Sequence, residues 1–436
     1  MDGSSKSIGD LPDMILQHIL SLLPTEVAVG TSVLSKRWQY LWTSIPNLVF
    51  TEGLPAKRML FLSFVERVLL LHDFSNVEKF SLTCDVLYDA SRINAWISAA
   101  IRHNVQKIDI CLDKFEEPFV LPHCLFTCDS LKMLRVEMCH ILKVPSSICF
   151  SSLRCLVLKG VIFSDEYSTE QLFSGCPILE TLWIARCIWE NLKAVSIFVP
   201  NLQKLAIEEF NYDDEDLSDV NGCEVNIFGM SLKSFHYSGD LLNEYCLCNS
   251  PSLVTAHIDV IPSCENTRIG AYRVKQLLIG LSSVNDLSIS RGAIELLNEV
   301  EEFFTVLPVY RNLTYLQLTT VPMCFDFKAL LNILQKSPCL ETLIFHQGIK
   351  VSPSCVEDDD GILDPVPSCF LSHLKRIEVY NFKGNEEQLY VIKILLKKAT
   401  MKENEDDYNT FSETDLDNWW EVKKTLFLRK IKDKFA

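Results

Sequence analysis

The sequence predicts an α/β protein in which a short helical module precedes a long solenoid of strand-and-helix repeats. Three observations lead to this fold class. The first fifty residues place apolar side chains at helical spacing, but they are too few to build an independent core. A six-residue strand pattern then recurs twelve times. After the last copy, a differently phrased strand and helix can cap the open end of a repeat array.

The composition excludes several classes of protein. Of the 436 residues, 48% are hydrophobic and 22% are charged, which is typical of a folded chain. The polar start lacks the features of a signal peptide, and no apolar run reaches about 18 residues, so we expect no membrane association. We therefore expect an intracellular protein of the nucleus, the cytoplasm or both. The net charge of −16 argues against a nucleic-acid partner.

The seventeen cysteines are irregularly spaced. Without a secretory signal they are expected to be reduced and to pack as small hydrophobic side chains. Cys246 and Cys248 form one close pair and Cys124 and Cys128 another. Neither pair has a second pair at zinc-finger spacing, so no metal or other cofactor is expected.

Acidic residues are concentrated in two stretches. Residues 208–224 hold eight acidic side chains and no basic one, and residues 356–364 hold five more. We interpret both as solvated loops on a nearly balanced scaffold. A docking site for a basic partner is the alternative.

Residues 8–50 predict two or three short helices. A helix begins near Asp10 or at Leu11-Pro12, where proline suits a first turn, and Pro24 separates it from a second helix. The segment has much aliphatic and tryptophan surface for its length. Hydrophobic surface that a small unit cannot bury usually marks a partner-binding face.

The repeated pattern is apolar-x-x-apolar-x-apolar. Its copies are 21 to 34 residues apart, 27 on average, close to the roughly 20 to 29 residues of leucine-rich repeats. Alternation at the last four positions predicts a short strand, and residues 95–103 and 326–335 predict helices between strands. The copies begin at Val77, Val105, Leu131, Leu153, Leu179, Leu202, Leu232, Leu253, Val284, Leu313, Leu340 and Leu374.

The strands of such an array present a concave face to solvent. The predicted solvent-facing positions are chemically mixed, without a charge stripe or a glycine-rich pocket. They include, at or near these positions, Arg135, Trp183, His236, Tyr237, His257, Gln317 and Glu378.

The unit after Cys369 differs from the repeats. A strand at 374–379, a turn at Gly384 and a helix around Leu389 to Leu396 are suited to capping the array. Beyond Thr400 an acidic stretch leads to a tail at 412–436 with helical spacing and six basic residues. The tail is interpreted as an additional helix, with a nuclear-import signal as the alternative.

Two segments carry a family resemblance. Leu11-Pro12 and the run Thr-Ser-Val-Leu-Ser-Lys-Arg-Trp-x-x-Leu-Trp from Thr31 resemble the F-box of plant F-box/leucine-rich-repeat proteins. The Leu-Lys-x-Ile-Glu strand from Leu374 and the Phe-x-Gly-x-Glu-Glu turn from Phe382 resemble the FBD motif found in the same proteins. The resemblance implies an F-box at 1–50, a leucine-rich-repeat solenoid at 51–368 and an FBD-like cap at 369–411. Beyond Thr400 the chain departs from the family, which has a further short strand there, and the helical tail at 412–436 is predicted from its own spacing.

In that family the F-box binds a Skp-type adaptor. The resemblance places ten apolar residues on the adaptor face or in its support, and about half of them are expected only to hold the helices together. Lys36 and Arg37 are expected to meet an acidic adaptor. The ten apolar residues are Leu11, Pro12, Ile15, Leu16, Ile19, Leu20, Val33, Leu34, Trp38 and Leu41.

The family further implies a substrate-recognition subunit of an SCF-type ubiquitin ligase. The adaptor would join the chain to cullin and RING subunits, and the array would hold an unknown target protein. We expect no enzymatic activity, because the sequence lacks G-x-S-x-G, H-E-x-x-H and Walker motifs. The alternatives are an interaction scaffold outside any ligase and a small-molecule sensor.

Overall fold

The computed structural model describes residues 8–73, 77–209, 222–261, 267–319, 323–324, 328–350, 365–382, 388–392 and 395. Its helices are α1 (Asp13–Ser21), α2 (Thr25–Gly30), α3 (Arg58–Leu71), α4 (Ala90–Arg102), α5 (Glu166–Ser174), α6 (Thr267–Gly280), α7 (Arg291–Asn298), α8 (Lys328–Gln335) and α9 (Ser368–Ser372). Short 3-10 helices occupy Ile8–Asp10, Thr31–Val33, Trp38–Ser44, Pro55–Lys57, His123–Leu125 and Glu301–Val306.

Thirteen strands of the described chain form one parallel sheet, and their order in the sheet is their order in the sequence. Numbered together with the strands of three smaller sheets, they are β1 (Asn47–Thr51), β2 (Lys79–Leu87), β3 (Lys107–Phe115), β4 (Met133–Met138), β5 (Cys155–Lys159), β7 (Thr181–Ala185), β10 (Lys204–Glu208), β12 (Ser234–Gly239), β14 (Thr255–Val260), β15 (Asp286–Ser290), β16 (Tyr315–Thr319), β18 (Thr342–Phe345) and β20 (Arg376–Val379). The smaller sheets contain β6 (Ile162–Phe163), β8 (Ile188–Trp189), β9 (Ala194–Phe198), β11 (Glu224–Phe228), β13 (Glu244–Cys248), β17 (Met323–Cys324) and β19 (Ile349–Lys350).

The twelve predicted repeat copies all form strands of the large sheet. The copy at Leu202 shows why the pattern forms a strand of the sheet. Leu202, Leu205 and Ile207 are only 1%, 2% and 1% exposed, so the first turns into the core and the other two point to the covered side of the sheet. The prediction of an α/β leucine-rich-repeat solenoid behind a helical module is confirmed.

The sheet begins one strand earlier than the twelve copies predict. β1 pairs in parallel with β2 and places Leu48 opposite Phe80. Ile45, Leu48 and Phe50 repeat the same apolar spacing, and none of them is more than 2% exposed. The first strand of the array therefore lies within the segment assigned to the helical module.

One recurring hydrogen-bond arrangement joins neighbouring repeats where the strands start. The carbonyl of the second residue of a copy accepts two backbone N–H groups of the next repeat. The Glu180 carbonyl accepts from Gln203 and Lys204 at 2.9 Å each, and the Lys233 carbonyl accepts from Val254 and Thr255 at 2.9 and 3.0 Å. Each stacked repeat thus satisfies the backbone of its neighbour, and the side chains of these second residues form a row along one edge.

Helices and a small sheet cover the buried side of the array. β9, β11 and β13 form a parallel three-stranded sheet. Helix α6 packs against β13, and a Cβ placed on Gly280 would lie 2.6 Å from the Leu247 Cβ, so this close approach requires glycine. On the other side the Glu170 carboxylate of α5 accepts the Ser196 N–H of β9 at 2.9 Å.

The C-terminal unit is described only in part. Strand β20 pairs with β18, and residues 388–392 are helical, with Val391, Ile392 and Leu395 buried. The predicted turn at Gly384, the segment beyond Thr400 and the tail at 412–436 lie outside the described residues. None of the described helices has the length and apolar character needed to cross a bilayer.

His72 lies at the joint between the helical module and the array. Its Nε2 lies 3.0 Å from the Ile45 carbonyl oxygen, and the neighbouring Asp73 N–H donates to the Thr43 carbonyl at 2.9 Å. Because the partner is a carbonyl, Nε2 carries the proton and donates. Burial lowers the pKa of His72 below its usual value, although the Ile45 carbonyl and Asp73 act in the opposite direction.

We expect this joint to lose stability in acid. The unfolded chain binds a proton at His72 more readily than the folded chain, so its contribution is present above pH 6.5 and is lost as the pH falls below that value. His72→Gln, which keeps an N–H donor, should show a weaker pH dependence. Thermal unfolding between about pH 5 and pH 8 measures this, with the exposed His373→Gln as control. Equal pH dependence in wild type and His72→Gln would contradict the assignment.

Candidate functional site

The helical module has a small core of its own. Leu16 and Leu20 of α1 are fully buried, and Trp38 and Leu41 are each 6% exposed. These four belong to the set that the sequence analysis assigned to a partner-binding face or its support. Their burial gives them the supporting role, because an atom inside the module cannot reach a partner.

The other predicted residues lie at or near the surface. Val33 is 87% exposed, Leu34 62% and Ile15 47%. Pro12 and Lys36 are also exposed, and Leu11 and Ile19 are half-buried. Large apolar side chains held in water at this level are costly unless a partner covers them.

Five further exposed hydrophobic residues were not assigned to this face by the sequence analysis. They are Ile8, Met14, Leu22, Val27 and Tyr40. Met14 and Leu22 are eight positions apart on the α1 side that does not carry Leu16 and Leu20. Helical spacing predicts two apolar stripes on α1, but only packing decides which one faces the core.

Arg37 is engaged within the module. Its Nε donates to Asp13 Oδ1 at 2.8 Å, one Nη donates to the Leu11 carbonyl at 2.5 Å, and the other donates to the Gly9 carbonyl. The guanidinium thus ties the segment before Trp38 to the start of α1. Lys36 is exposed beside it. Both predicted basic residues are therefore exposed, and Arg37 in addition orders the module.

The large sheet has an open face on the side opposite the helices. Side chains at the fifth position of the copies lie side by side across this face, because the strands pair in register. The row runs Ser81, Asp109, Arg135, Val157, Trp183, Ala206, His236, His257, Ser288, Gln317, Ile344 and Glu378. Tyr237, which the sequence analysis placed near this face, is fully buried on the other side.

Trp183 is the large aromatic residue at the centre of the open face. It lies on the sixth of the thirteen strands and is 38% exposed. Its in-register neighbours are Val157, which is 7% exposed, and the small Ala206. A tryptophan held by a rigid sheet and flanked by small apolar groups has the properties of an interface anchor.

A polar row continues from Ala206. The rings of His236 and His257 are stacked, with centroids 4.6 Å apart and planes 3° from parallel. His257 Nδ1 lies 2.8 Å from the Ser288 hydroxyl oxygen. Burial lowers the pKa of His257, and the charge of a protonated His236 lowers it further. The two stacked imidazoles therefore present polar aromatic rings next to the apolar centre.

A charged group lies on the other side of the apolar centre. Arg135 donates to Glu137 at 2.8 Å and lies 3.6 Å from Asp109, and Lys159 contacts Glu137 at 2.5 Å. Burial alone would raise the pKa of the Glu137 carboxyl, but hydrogen bonds from Lys159 and Arg135 lower it below its usual value. These ions neutralise one another and can fix the register of a partner.

Most of the described cysteines are poor nucleophiles. Burial raises the pKa of ten described cysteine thiols, to about 12 at Cys84, Cys176, Cys187, Cys223 and Cys246. A protonated thiol is a poor nucleophile. Within the described ranges, no group of three or more histidine, cysteine or acidic side chains could hold a metal ion.

Comparisons with known proteins match this arrangement of module and array. A family model described as "F-box domain" matches residues 8–50, and one described as "At1g61320/AtMIF1, LRR domain" matches residues 68–403. The F-box/FBD/LRR-repeat protein At5g56420 of Arabidopsis thaliana is 30% identical over 398 residues, which cover 90% of this chain and 89% of the relative. The F-box/FBD/LRR-repeat protein At3g52680 of Arabidopsis thaliana is 32% identical over 413 residues, covering 91% and 85%. The FBD-associated F-box protein At4g10400 of Arabidopsis thaliana is 29% identical over 409 residues, covering 90% of each.

Proposed function

Since the chain belongs to the plant F-box/leucine-rich-repeat/FBD protein family, we propose that it is the substrate-recognition subunit of an SCF-type ubiquitin ligase. In this proposal the F-box module binds a Skp-type adaptor and, through it, cullin and RING subunits. The repeat array holds a target protein, and a ubiquitin-conjugating enzyme recruited by the RING subunit modifies target lysines. The chain itself supplies no catalytic group and acts in the nucleus, the cytoplasm or both.

The exposed apolar surface of the module is the observation that carries the proposal. Eight of the 28 large hydrophobic side chains exposed in the described chain belong to residues 8–44, a segment of only 37 residues. Helices α1 and α2 and the 3-10 helices beside them hold these side chains in place, because the buried Leu16, Leu20, Trp38 and Leu41 give the module a packed core. A preformed apolar surface binds without the cost of ordering it first.

The open face of the array supports the second part of the proposal. Its apolar centre at Trp183 lies between the charged group around Arg135 and the stacked histidines. An aromatic anchor surrounded by polar groups is the usual arrangement of a protein-binding interface. Holding a target beside the conjugating enzyme raises the local concentration of its lysines, and this effect accelerates transfer without catalytic residues.

Replacing exposed apolar side chains of the module with charged ones tests the adaptor contact. We expect Val33→Asp with Leu34→Asp to weaken binding to a purified Skp-type adaptor by at least about 30-fold, as for the loss of an interface hot spot. Isothermal titration calorimetry on the full chain measures this. Because both side chains are largely in water, the fold should tolerate the change.

The matched control is Val306→Asp with Val309→Asp, at two valines of the array that are 53% and 45% exposed. This variant should bind the adaptor like wild type. If the folded wild-type chain does not bind the adaptor, the ligase assignment fails and a scaffold outside any ligase remains. If both double variants bind equally well, the adaptor contacts a different surface.

A further inference from the structure

We propose that one edge of the array is a docking surface for an acidic segment of a partner protein. This strand-start edge consists of the turns immediately before seven strands of the large sheet, together with the second and third residues of the seven copies that form those strands. The seven strands are β3, β4, β5, β7, β10, β12 and β14. The binding itself does not depend on the adaptor. Only the identification of the partner as a ubiquitination target rests on the proposed function.

Positive charge is concentrated on this edge. The edge carries five cations and only two carboxylates, Asp129 and Glu180, whereas the net charge of the whole chain is −16. All five are exposed, and the local charge is therefore opposite to that of the whole molecule. The cations are Lys107, Lys132, Arg154, Lys204 and Lys233.

Most of these cations are available to a ligand. Arg154 pairs with Glu180. The Lys132 and Lys233 ammonium groups donate to the neutral side chains of Gln106 and Gln203, at 2.9 and 3.3 Å. No carboxylate of the described chain lies within ion-pair distance of Lys107, Lys132, Lys204 or Lys233. An exposed ammonium without an acidic partner can bind an incoming carboxylate without first breaking a salt bridge.

A shallow groove runs along the same edge. Its volume is about 510 Å³, and its lining includes Arg154, Glu180, Asn201, Gln203, Lys233 and Ser252. These residues precede five neighbouring strands, β5 to β14. At about 4.8 Å per strand the groove is about 19 Å long, the length of about six residues of extended chain.

The groove, lined by Lys233 and Arg154, and the other lysines of the edge together select an acidic polypeptide. Lysine and arginine bind carboxylates, and the side-chain amides of Asn201 and Gln203 can hydrogen-bond a peptide backbone. The opposite edge, at the ends of the strands, carries both signs of charge, with Glu208 and Asp259 beside Lys159 and Arg186. The excess of positive charge at the strand-start edge therefore directs an acidic segment to that edge.

Fluorescence anisotropy with a labelled six-aspartate peptide and the full chain tests the proposal. We expect the peptide to bind, a six-asparagine peptide with the same label not to bind, and binding to weaken between about 50 mM and about 300 mM salt. Lys204→Glu with Lys233→Glu should lower the affinity at least about tenfold, because two attractive charges become repulsive.

The control, Lys143→Glu with Lys193→Glu, changes the net charge equally at two exposed lysines off this edge. It should bind the peptide like wild type. Equal losses in the two double variants, or equal binding of the neutral peptide, would overturn the proposal. Tighter binding of a single-stranded oligonucleotide of matched length would overturn the choice of a protein partner. Adaptor binding, measured in parallel, should be unchanged in both variants, so failure here is distinguishable from failure of the ligase assignment.

Discussion

Replacing Glu209 with glutamine should lower the free energy of unfolding by about 3–5 kcal/mol, because it disrupts a buried carboxylate that satisfies five donors. Glu209 is 7% exposed. One carboxylate oxygen accepts from the Tyr237 hydroxyl at 2.6 Å and from the Leu242 N–H at 2.7 Å. The other accepts from the Tyr245 hydroxyl at 2.9 Å and from the Asn243 N–H and side-chain amide at 3.2 and 2.8 Å.

Glutamine cannot replace this carboxylate. In glutamine an NH₂ group replaces one of the two carboxylate oxygens, and its hydrogens would point at groups that are themselves donors. At least two buried donors would therefore lose their acceptor. The site joins β10 and β12 of the large sheet to β13 of the small one, and the loss should therefore destabilise both sheets. Urea unfolding followed by circular dichroism measures the change.

Glu208→Gln is the matched control for this prediction. Glu208 is the preceding residue, half-buried on the open face, and its replacement should change stability by less than about 0.5 kcal/mol. Similar stabilities for the two variants would contradict the assigned role of the buried carboxylate.

Burial and the charge of Glu209 raise the pKa of Tyr237 and Tyr245 well above the usual value. Wild-type stability should therefore fall as the pH rises above about 10, where the unfolded tyrosines ionise.

Glu209 also shows where sequence reasoning ends. It belongs to the acidic stretch that we interpreted as a solvated loop, and for Glu209 this interpretation is wrong. The two tyrosine partners are 28 and 36 positions further along the chain. Local composition cannot reveal partners that only the stacking of repeats brings together.

The repeat strands were predictable because their signal is local and periodic. Each copy places three apolar residues so that a strand buries them, and neighbouring copies confirm the spacing. The sheet of β9, β11 and β13 was not predicted, although Val195 and Ile197 alternate in the same way as the buried pairs of the repeat strands. Short apolar runs of this kind also fit helices, and only the neighbouring strands decide between the two.

The helical module was predictable in its helices but not in its surface. The boundary between α1 and α2 follows from Pro24, which cannot continue a helix interior. The division between buried Leu16 and exposed Ile15 depends on how the segment around Trp38 packs against α1. The first strand was missed because Ile45, Leu48 and Phe50 were interpreted as the end of the module.

Arg58→Met should cost about 3–5 kcal/mol of stability at neutral pH, because it leaves the partly buried Glu52 carboxylate without its counter-ion and removes one of the two arginines paired with Asp89. Arg58 is the first residue of α3, and its side chain is 14% exposed. Its guanidinium donates to both Glu52 oxygens at 2.8 Å and to Asp89 at 2.7 Å. Burial alone would lower the pKa of Arg58, but its hydrogen bonds to the Glu52 and Asp89 carboxylates raise it above its usual value.

The ion pairs and hydrogen bonds of Arg58 stabilise the N-terminal end of the array. Arg58 also donates to the carbonyls of Asp85 and Val86 at the end of β2, at 2.9 and 3.1 Å. It therefore connects α3 to the segment after β1, the edge strand of the sheet. Because each repeat of such an array contacts only its neighbours, the damage should be local. Hydrogen exchange should accelerate in β1 and β2 and remain unchanged in β15 and β16.

The charge explanation can be separated from lost packing by a double-mutant cycle. Glu52→Gln combined with Arg58→Met should be more stable than Arg58→Met alone, because the unpaired carboxylate has been removed. The control Arg268→Met, at an arginine 75% exposed and paired with Glu302, should cost less than about 1 kcal/mol. If the double variant is no more stable than Arg58→Met, Arg58 stabilises the protein through packing and not through its charge. Ion pairs would then not stabilise the N-terminal end of the array.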